Sequence, residues 1–120
     1  MPHLTIEYTP NLSALAASPV LHDLNEAVTA SPEVVNEADL KTRLVPVQHF
    51  QVGTGAGGRA FVHAQLRLLG GRSPEAKRDL ANRVATVLRR HVPRPADVLV
   101  QLSVEIVDMD RDTYVKERLA

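Results

Sequence analysis

The sequence has no cysteine and no tryptophan, and its aromatic residues make up only 3% of the 120 positions. Without cysteine there is no disulfide framework, no thiol nucleophile and no thiolate metal ligand. So few aromatic side chains do not form the stacking platforms on which single-stranded nucleic acids bind. The core therefore has to be built from valine, leucine, isoleucine and alanine.

The chain also lacks an excess of either charge, since its 14 lysines and arginines are balanced by 14 aspartates and glutamates. No overall field attracts it to nucleic acid or to an acidic membrane surface. It contains no apolar run long enough for a signal peptide or a membrane span. We expect a cytoplasmic protein that forms one domain over residues 1–120 and binds neither nucleic acid nor membranes.

A strand pattern begins directly after the initiator methionine. Leu4, Ile6 and Tyr8 alternate with polar residues, which is typical of a strand with one buried face. Pro2 stands at its start, where a sheet accepts a residue that has no N–H. Pro2 has two interpretations: it opens the strand and does no chemistry, or it becomes a proton-carrying secondary amine once Met1 is removed.

The rest of the chain repeats one order of elements in two halves, about 2–52 and 60–107, followed by a tail over 108–120. In both halves, a segment with an apolar residue at every second position precedes a segment whose apolar residues have the spacing of a helix. The elements predicted after the first strand are a helix over 19–30, a short helical piece over 31–36, a strand over 40–52, a strand over 60–69, a helix that begins after position 73, and a strand over 98–107.

Two tandem βαβ units predict an α+β domain, in which a four-stranded mixed sheet carries both helices on one face. Pro46 indicates that the second strand lies at an edge or contains a bulge. Because the strands are rich in branched apolar residues, we expect the other face of the sheet to be apolar as well. Such a face is buried against another copy of the chain.

Two features of the sequence could suggest a ligand site, but their sequence context does not support one. The glycine-rich stretch 53–58 lacks the Gly-Lys-Ser/Thr ending of a phosphate-binding loop and precedes a strand, so a flexible connection is favoured. The five histidines show no paired ligand spacing and no acidic companions, so we expect no metal site. These histidines are His3, His22, His49, His63 and His91.

Three short segments carry a family resemblance: Pro2-His3-Leu4 with Glu7, residues 60–63, and Gly71-Arg72-Ser73 before a helix. In these segments the chain resembles the 5-carboxymethyl-2-hydroxymuconate Δ-isomerase family of the tautomerase superfamily. The resemblance runs over nearly the whole chain and is weakest over residues 9–40. It implies two tandem βαβ units, a homotrimer, and a processed amino-terminal proline that acts as the catalytic base.

The resemblance also implies a site around Pro2. Arg72 matches the functional arginine of the family, and Lys41 and Arg43 correspond to a basic pair on the second strand that binds substrate. Such cations lower the pKa of an amine, bind carboxylates and stabilise a dienolate. Lys41 replaces an arginine and so gives a single point contact. From the residues alone, an arginine in such a turn is usually a solvated loop residue, and Lys41 and Arg43 are as consistent with a solvent-facing strand as with a binding role.

The activity implied by the resemblance is isomerisation of a carboxylated 2-hydroxydienoate from aromatic breakdown, such as 5-carboxymethyl-2-hydroxymuconate, without cofactor or metal. Two alternatives stay open. One is a tautomerase of another keto–enol substrate, and the other is a non-catalytic trimeric binding module. Lys41 and the low aromatic content leave room for the binding module.

Overall fold

The computed structural model describes all 120 residues and confirms the repeated strand–helix–strand order. None of its helices combines the length and the apolar character that a membrane span requires. Two 3-10 helices, Pro10–Ala17 and Glu37–Asp39, lie in the first half. The main elements are β1 (His3–Tyr8), α1 (Val20–Thr29), β2 (Lys41–Pro46), β3 (Arg59–Leu69), α2 (Pro74–His91) and β4 (Leu99–Met109).

The four strands form one mixed sheet, as predicted, and their order in the sheet is β2-β1-β3-β4. Strands β1 and β2 are parallel, β3 and β4 are parallel, and β1 and β3 are antiparallel. His3 pairs with Lys41 on one side and with Arg67 on the other. The starts of β1 and β2 therefore meet the end of β3 at one end of the sheet, which we call the amino-terminal end.

Both helices pack on the same face of the sheet and enclose the core. Helix α2 begins where the sequence predicts, because the Ser73 hydroxyl accepts a hydrogen bond from the Ala76 N–H at 3.1 Å and Pro74 occupies the first turn. The core side chains that are fully buried include Leu4 and Ile6 of β1, Val20, Leu24 and Val28 of α1, Val62 and Leu66 of β3, and Leu80, Val84 and Leu88 of α2.

The face of the sheet away from the helices is polar, so the expectation of an apolar face is wrong. Side chains alternate along a strand, and the branched residues of β1 and β3 occupy the positions that point at the helices. The intervening positions are polar in β1 and, apart from Phe61 and Leu69, in β3. Their register brings together His3, Thr5, Glu7, His63, Gln65 and Arg67, and Lys41 and Arg43 of β2 join them on this face.

The connection between α1 and β2 differs from its prediction. The helical piece expected over 31–36 lies instead at Glu37–Asp39, where the Asn36 side chain accepts a hydrogen bond from the Ala38 N–H at 3.1 Å. Strand β2 ends at Pro46 and not at position 52. It stops there because its neighbour β1 ends at Tyr8, which pairs with Pro46, so residues beyond have no strand to pair with.

The 3-10 helix Pro10–Ala17 is the other difference, since the sequence predicts only a turn after β1. Its residues Leu12 and Leu15 are buried in the core, with 1% and 0% of their surface exposed. An apolar pair three residues apart is too short a pattern to distinguish a buried turn of helix from a loop. The segment therefore adds to the core without a sequence signal of its own.

Candidate active site

The amino terminus lies at the amino-terminal end of the sheet, beside the start of β2. Pro2 is buried, and its carbonyl oxygen accepts a hydrogen bond from the Lys41 N–H at 3.1 Å. The Met1 ammonium donates to the Asp39 carbonyl oxygen at 3.2 Å, and Lys41 Nζ donates to the same oxygen at 2.5 Å. The two nitrogens are therefore separated by no more than the sum of these distances, about 6 Å.

This position disfavours the charged form of the terminal amine. Burial and, second, the positive charge of Lys41 lower the pKa of the Met1 amine from 8.0 to about 6. An amine with such a pKa is mostly unprotonated at neutral pH, so its lone pair is free to accept a proton. Pro2 becomes the terminal amine only when Met1 is removed, because its nitrogen is otherwise an amide.

Arg43 lies on the polar face of the sheet, next to His3. Its Nη2 is 3.3 Å from His3 Nδ1, and its Nε donates to Thr5 Oγ1 at 3.2 Å. A guanidinium can only donate, so His3 Nδ1 accepts and the ring proton is on Nε2. Burial, followed by the charges of Lys41 and Arg43, lowers the pKa of His3 and keeps the ring neutral.

The chain after β4 folds back over the amino terminus, and no pattern in the sequence predicts this arrangement. Tyr114 Oη is 2.9 Å from His3 Nε2 and donates a longer hydrogen bond, 3.4 Å, to the Met1 carbonyl oxygen. Lys116 Nζ is 2.5 Å from Asp39 Oδ1. We call residues 110–118 the C-terminal strap. Its sequence is polar and shows neither strand nor helix periodicity. Its one distinctive residue is Tyr114, one of the two tyrosines in the protein.

Asp39 holds this strap and balances part of the positive charge. Besides Lys116, Arg118 Nη2 reaches the same carboxylate oxygen at 3.5 Å. The hydrogen bond from Lys116 keeps the pKa of Asp39 below its usual value, and so it is ionised at neutral pH. One carboxylate therefore lies among several cations, and the end of the sheet stays positive.

Arg72 follows the end of β3, but its guanidinium is engaged within the chain. Nη1 donates to the Leu69 carbonyl oxygen at 2.7 Å and Nη2 to the Glu33 carbonyl oxygen at 3.1 Å. Arg72 Nε is 3.2 Å from Glu33 Oε1, but its N–H does not point at that oxygen well enough for a hydrogen bond. The contact is therefore an ion pair only. The Arg72 side chain is 18% exposed.

The predicted site residues thus fall into two groups. Strand pairing brings Pro2, Lys41 and Arg43 together at the start of β1 and β2. No hydrogen bond or ion pair joins Arg72 to them, although it lies at the same end of the sheet. No three His, Cys, Asp or Glu side chains are grouped as metal ligands. The arrangement can bind an anion next to an unprotonated amine.

A family model for 5-carboxymethyl-2-hydroxymuconate isomerase matches residues 2–119 of the chain. No curated protein sequence matches it. A crystal structure of a 5-carboxymethyl-2-hydroxymuconate isomerase from Deinococcus radiodurans R1 is 28% identical, with a TM-score of 0.85 over 98% of this chain and 89% of that one.

Two further solved structures share the fold. A crystal structure of 5-carboxymethyl-2-hydroxymuconate delta-isomerase is 24% identical, with a TM-score of 0.82 over 98% of this chain and 88% of that one. A fused 4-OT wild type symmetric trimer is 18% identical, with a TM-score of 0.74 over 98% of this chain and 94% of that one. The likeness covers both halves of the sheet and both helices.

Proposed function

Because the chain belongs to the 5-carboxymethyl-2-hydroxymuconate isomerase family and is an isomerase, we propose that it moves a proton within a carboxylated 2-hydroxydienoate such as 5-carboxymethyl-2-hydroxymuconate. The observation that carries this proposal is the place of the amino terminus, where burial and the charge of Lys41 lower the pKa of the Met1 amine to about 6. The Pro2 amine that removal of Met1 produces lies one residue along in the same surroundings, where the same two effects lower its pKa. Such an amine acts as a general base at neutral pH. The proposal requires no cofactor and no metal.

In the proposed reaction Pro2 is the base, after removal of Met1 has converted its amide into a secondary amine. The amine takes the proton of the substrate 2-hydroxyl, and the electron pair delocalises into the diene as a dienolate. The protonated amine then returns that proton to a distal carbon of the dienolate, which gives the 2-oxo product. No atom is gained or lost, and the amine ends unprotonated, ready for another cycle.

We assign the surrounding cations to the negative charges of substrate and intermediate. Lys41 lies next to Pro2, and Arg43 lies two residues further along β2 against His3. Both would bind a substrate carboxylate while stabilising the dienolate. We assign Arg72 to a catalytic role at the same end of the sheet, where a substrate carboxylate would replace the carboxylate of Glu33. Its planar guanidinium can bind a carboxylate through two parallel hydrogen bonds, which the single ammonium of Lys41 cannot do.

We also propose that the chain forms a homotrimer. The likeness to a fused 4-OT symmetric trimer supports this assembly, in place of the apolar sheet face expected from the sequence. A second support is β4, an edge strand whose apolar residues pack on the core but stay partly exposed: Val100, Leu102, Val104 and Ile106. A neighbouring subunit at this edge would complete their burial.

The test is a ketonisation assay on protein whose amino terminus has been verified by mass. We expect conversion of 2-hydroxymuconate-type dienols and weaker or no conversion of phenylenolpyruvate, which has one carboxylate. The reverse preference would favour a tautomerase of another keto–enol substrate. A folded trimer without activity on either compound would favour a binding module. Light scattering at micromolar concentration measures the assembly, and a monomer would contradict the trimer.

A further inference from the structure

Tyr114 has no role in the reaction described above, yet its hydroxyl lies against the amino terminus. Its ring meets the His3 ring edge-on, with centroids 6.0 Å apart and planes at 75°. The residue is half-buried, although it belongs to the C-terminal strap and not to a helix or strand. Two contacts that link positions more than 100 residues apart fix its hydroxyl group.

The direction of each proton in this network follows from what the groups can donate and accept. Arg43 Nη2 donates to His3 Nδ1, because a guanidinium accepts no hydrogen bond. A neutral His3 therefore carries its proton on Nε2 and donates it to Tyr114 Oη over 2.9 Å. The Tyr114 oxygen is then an acceptor toward His3, and its own proton is left to point at Met1, whose carbonyl oxygen is 3.4 Å away.

Removal of Met1 changes only the last hydrogen bond of this network, the one from Tyr114 to the Met1 carbonyl oxygen. The carbonyl group of Met1 is bonded to the Pro2 nitrogen, so its oxygen marks the space beside the future amine. When that oxygen is gone, Arg43 and His3 still hold the Tyr114 hydroxyl in the same orientation. Its proton then has no protein acceptor and points into the space where a substrate meets Pro2.

We infer that the Tyr114 hydroxyl donates a hydrogen bond to the oxygen on carbon 2 of the substrate, with His3 as the residue that positions it. This inference rests on the proposed function. The oxygen on carbon 2 gives up its proton to Pro2 and becomes the oxygen of the dienolate. A fixed donor aimed at such an oxygen stabilises the charge that develops there, and Tyr114 keeps its own proton throughout.

The strap supplies the rigidity that this role needs. Lys116 lies two residues after Tyr114 and binds the Asp39 carboxylate at 2.5 Å, with both side chains about one-fifth exposed. Arg118 reaches the same carboxylate. Asp39 itself precedes β2, so the ionic contacts anchor the strap to the strand that carries Lys41 and Arg43. A hydrogen-bond donor stabilises developing charge most effectively when it is fixed in position before the reaction begins.

The first experiment compares Tyr114→Phe with the matched control Tyr8→Phe. Each variant loses one tyrosine hydroxyl, but Tyr8 is 8% exposed on the helix side of the sheet and makes no side-chain hydrogen bond. We expect Tyr114→Phe to lower kcat/KM about 100-fold, mostly in kcat. Tyr8→Phe should retain wild-type kinetics. Equal kinetics of Tyr114→Phe and wild type would overturn the inference.

Two further measurements do not depend on turnover, so they separate this inference from the proposed function. Bromopyruvate carries a carboxylate, a ketone oxygen and an alkylating carbon, and mass spectrometry follows its attachment to Pro2. Alkylation on the high-pH plateau should be several-fold slower in Tyr114→Phe than in wild type or Tyr8→Phe. Nitrogen NMR should show His3 protonated on Nε2 at pH 7. An unchanged alkylation rate, or a proton on Nδ1, would overturn the inference even if no dienol is converted.

Discussion

Lys41 is expected to lower the pKa of the terminal amine, and replacing it with methionine tests this electrostatic argument. The Met1 and Lys41 nitrogens both donate to the Asp39 carbonyl oxygen, which limits their separation to about 6 Å. We take this separation for the amine of Pro2, which becomes the terminal amine at the same end of the sheet once Met1 is removed. At that distance two unit charges repel by about 0.7 kcal/mol in water and about 3 kcal/mol at an effective dielectric constant of 20. Since one pKa unit is about 1.4 kcal/mol, the range is about 0.5 to 2 units.

The lower half of that range applies, because Met1 and Lys41 are both only half-buried and solvent screens their repulsion. Burial, the larger cause of the lowered pKa, stays in the variant. A positive neighbour disfavours the protonated amine, so its loss raises the pKa. We expect the acidic limb of the pH profile of kcat/KM to move up by about 0.5 to 1 unit in Lys41→Met.

The assay measures kcat/KM between pH 5 and 9 for wild type, Lys41→Met and the control Arg94→Met. Arg94 lies beyond the end of α2, at the opposite end of the sheet, where it donates to the Arg89 carbonyl oxygen at 2.9 Å. Removing its charge should leave the acidic limb in place. An unchanged or downward-shifted limb in Lys41→Met would refute the argument that Lys41 tunes the amine.

Three more predictions concern single positions. Arg72→Ala should lower kcat/KM by an amount equivalent to about 2–4 kcal/mol of transition-state stabilisation and reduce Tm, since it leaves the partly buried carbonyl groups of Leu69 and Glu33 without their donor; an unchanged kcat/KM would place the anion site elsewhere. Protein that retains Met1 should fold but be inactive, whereas Pro2→Ala should keep partial activity as a primary amine; full activity with Met1 verified by mass would exclude Pro2 as the base. Lys116→Met should loosen the strap and raise the pKa of the amine, because Lys116 lowers that pKa and Asp39 raises it; an acidic limb that does not move would contradict this coupling.

The element order could be predicted from the sequence because it depends on local periodicity. Alternating residues in β3 and the Ser73-Pro74 start of α2 each contain their own signal within a few positions. The polar face of the sheet was also visible locally, since His63, Gln65 and Arg67 alternate with buried residues. The expectation failed only where it assumed that abundant branched residues would line both faces.

The candidate site could be predicted only in part, because much of it is assembled from distant segments. Strand pairing links His3 to Lys41, and pairing follows from the βαβ topology. The contact between Lys116 and Asp39 joins positions 77 residues apart, and that between Tyr114 and His3 joins positions 111 apart. A polar segment without a period contains no information about where it folds back.

The cations at the amino-terminal end of the sheet have two effects that support each other. In the free protein they disfavour protonation of the terminal amine, which keeps its lone pair available, and they keep the His3 ring neutral. The same charges attract an anionic substrate. Once a carboxylate binds, its negative charge cancels part of the repulsion between Lys41 and the amine, and the pKa of the amine rises. Under the proposed mechanism the amine is therefore unprotonated before the substrate arrives and becomes a stronger proton acceptor when the substrate is bound.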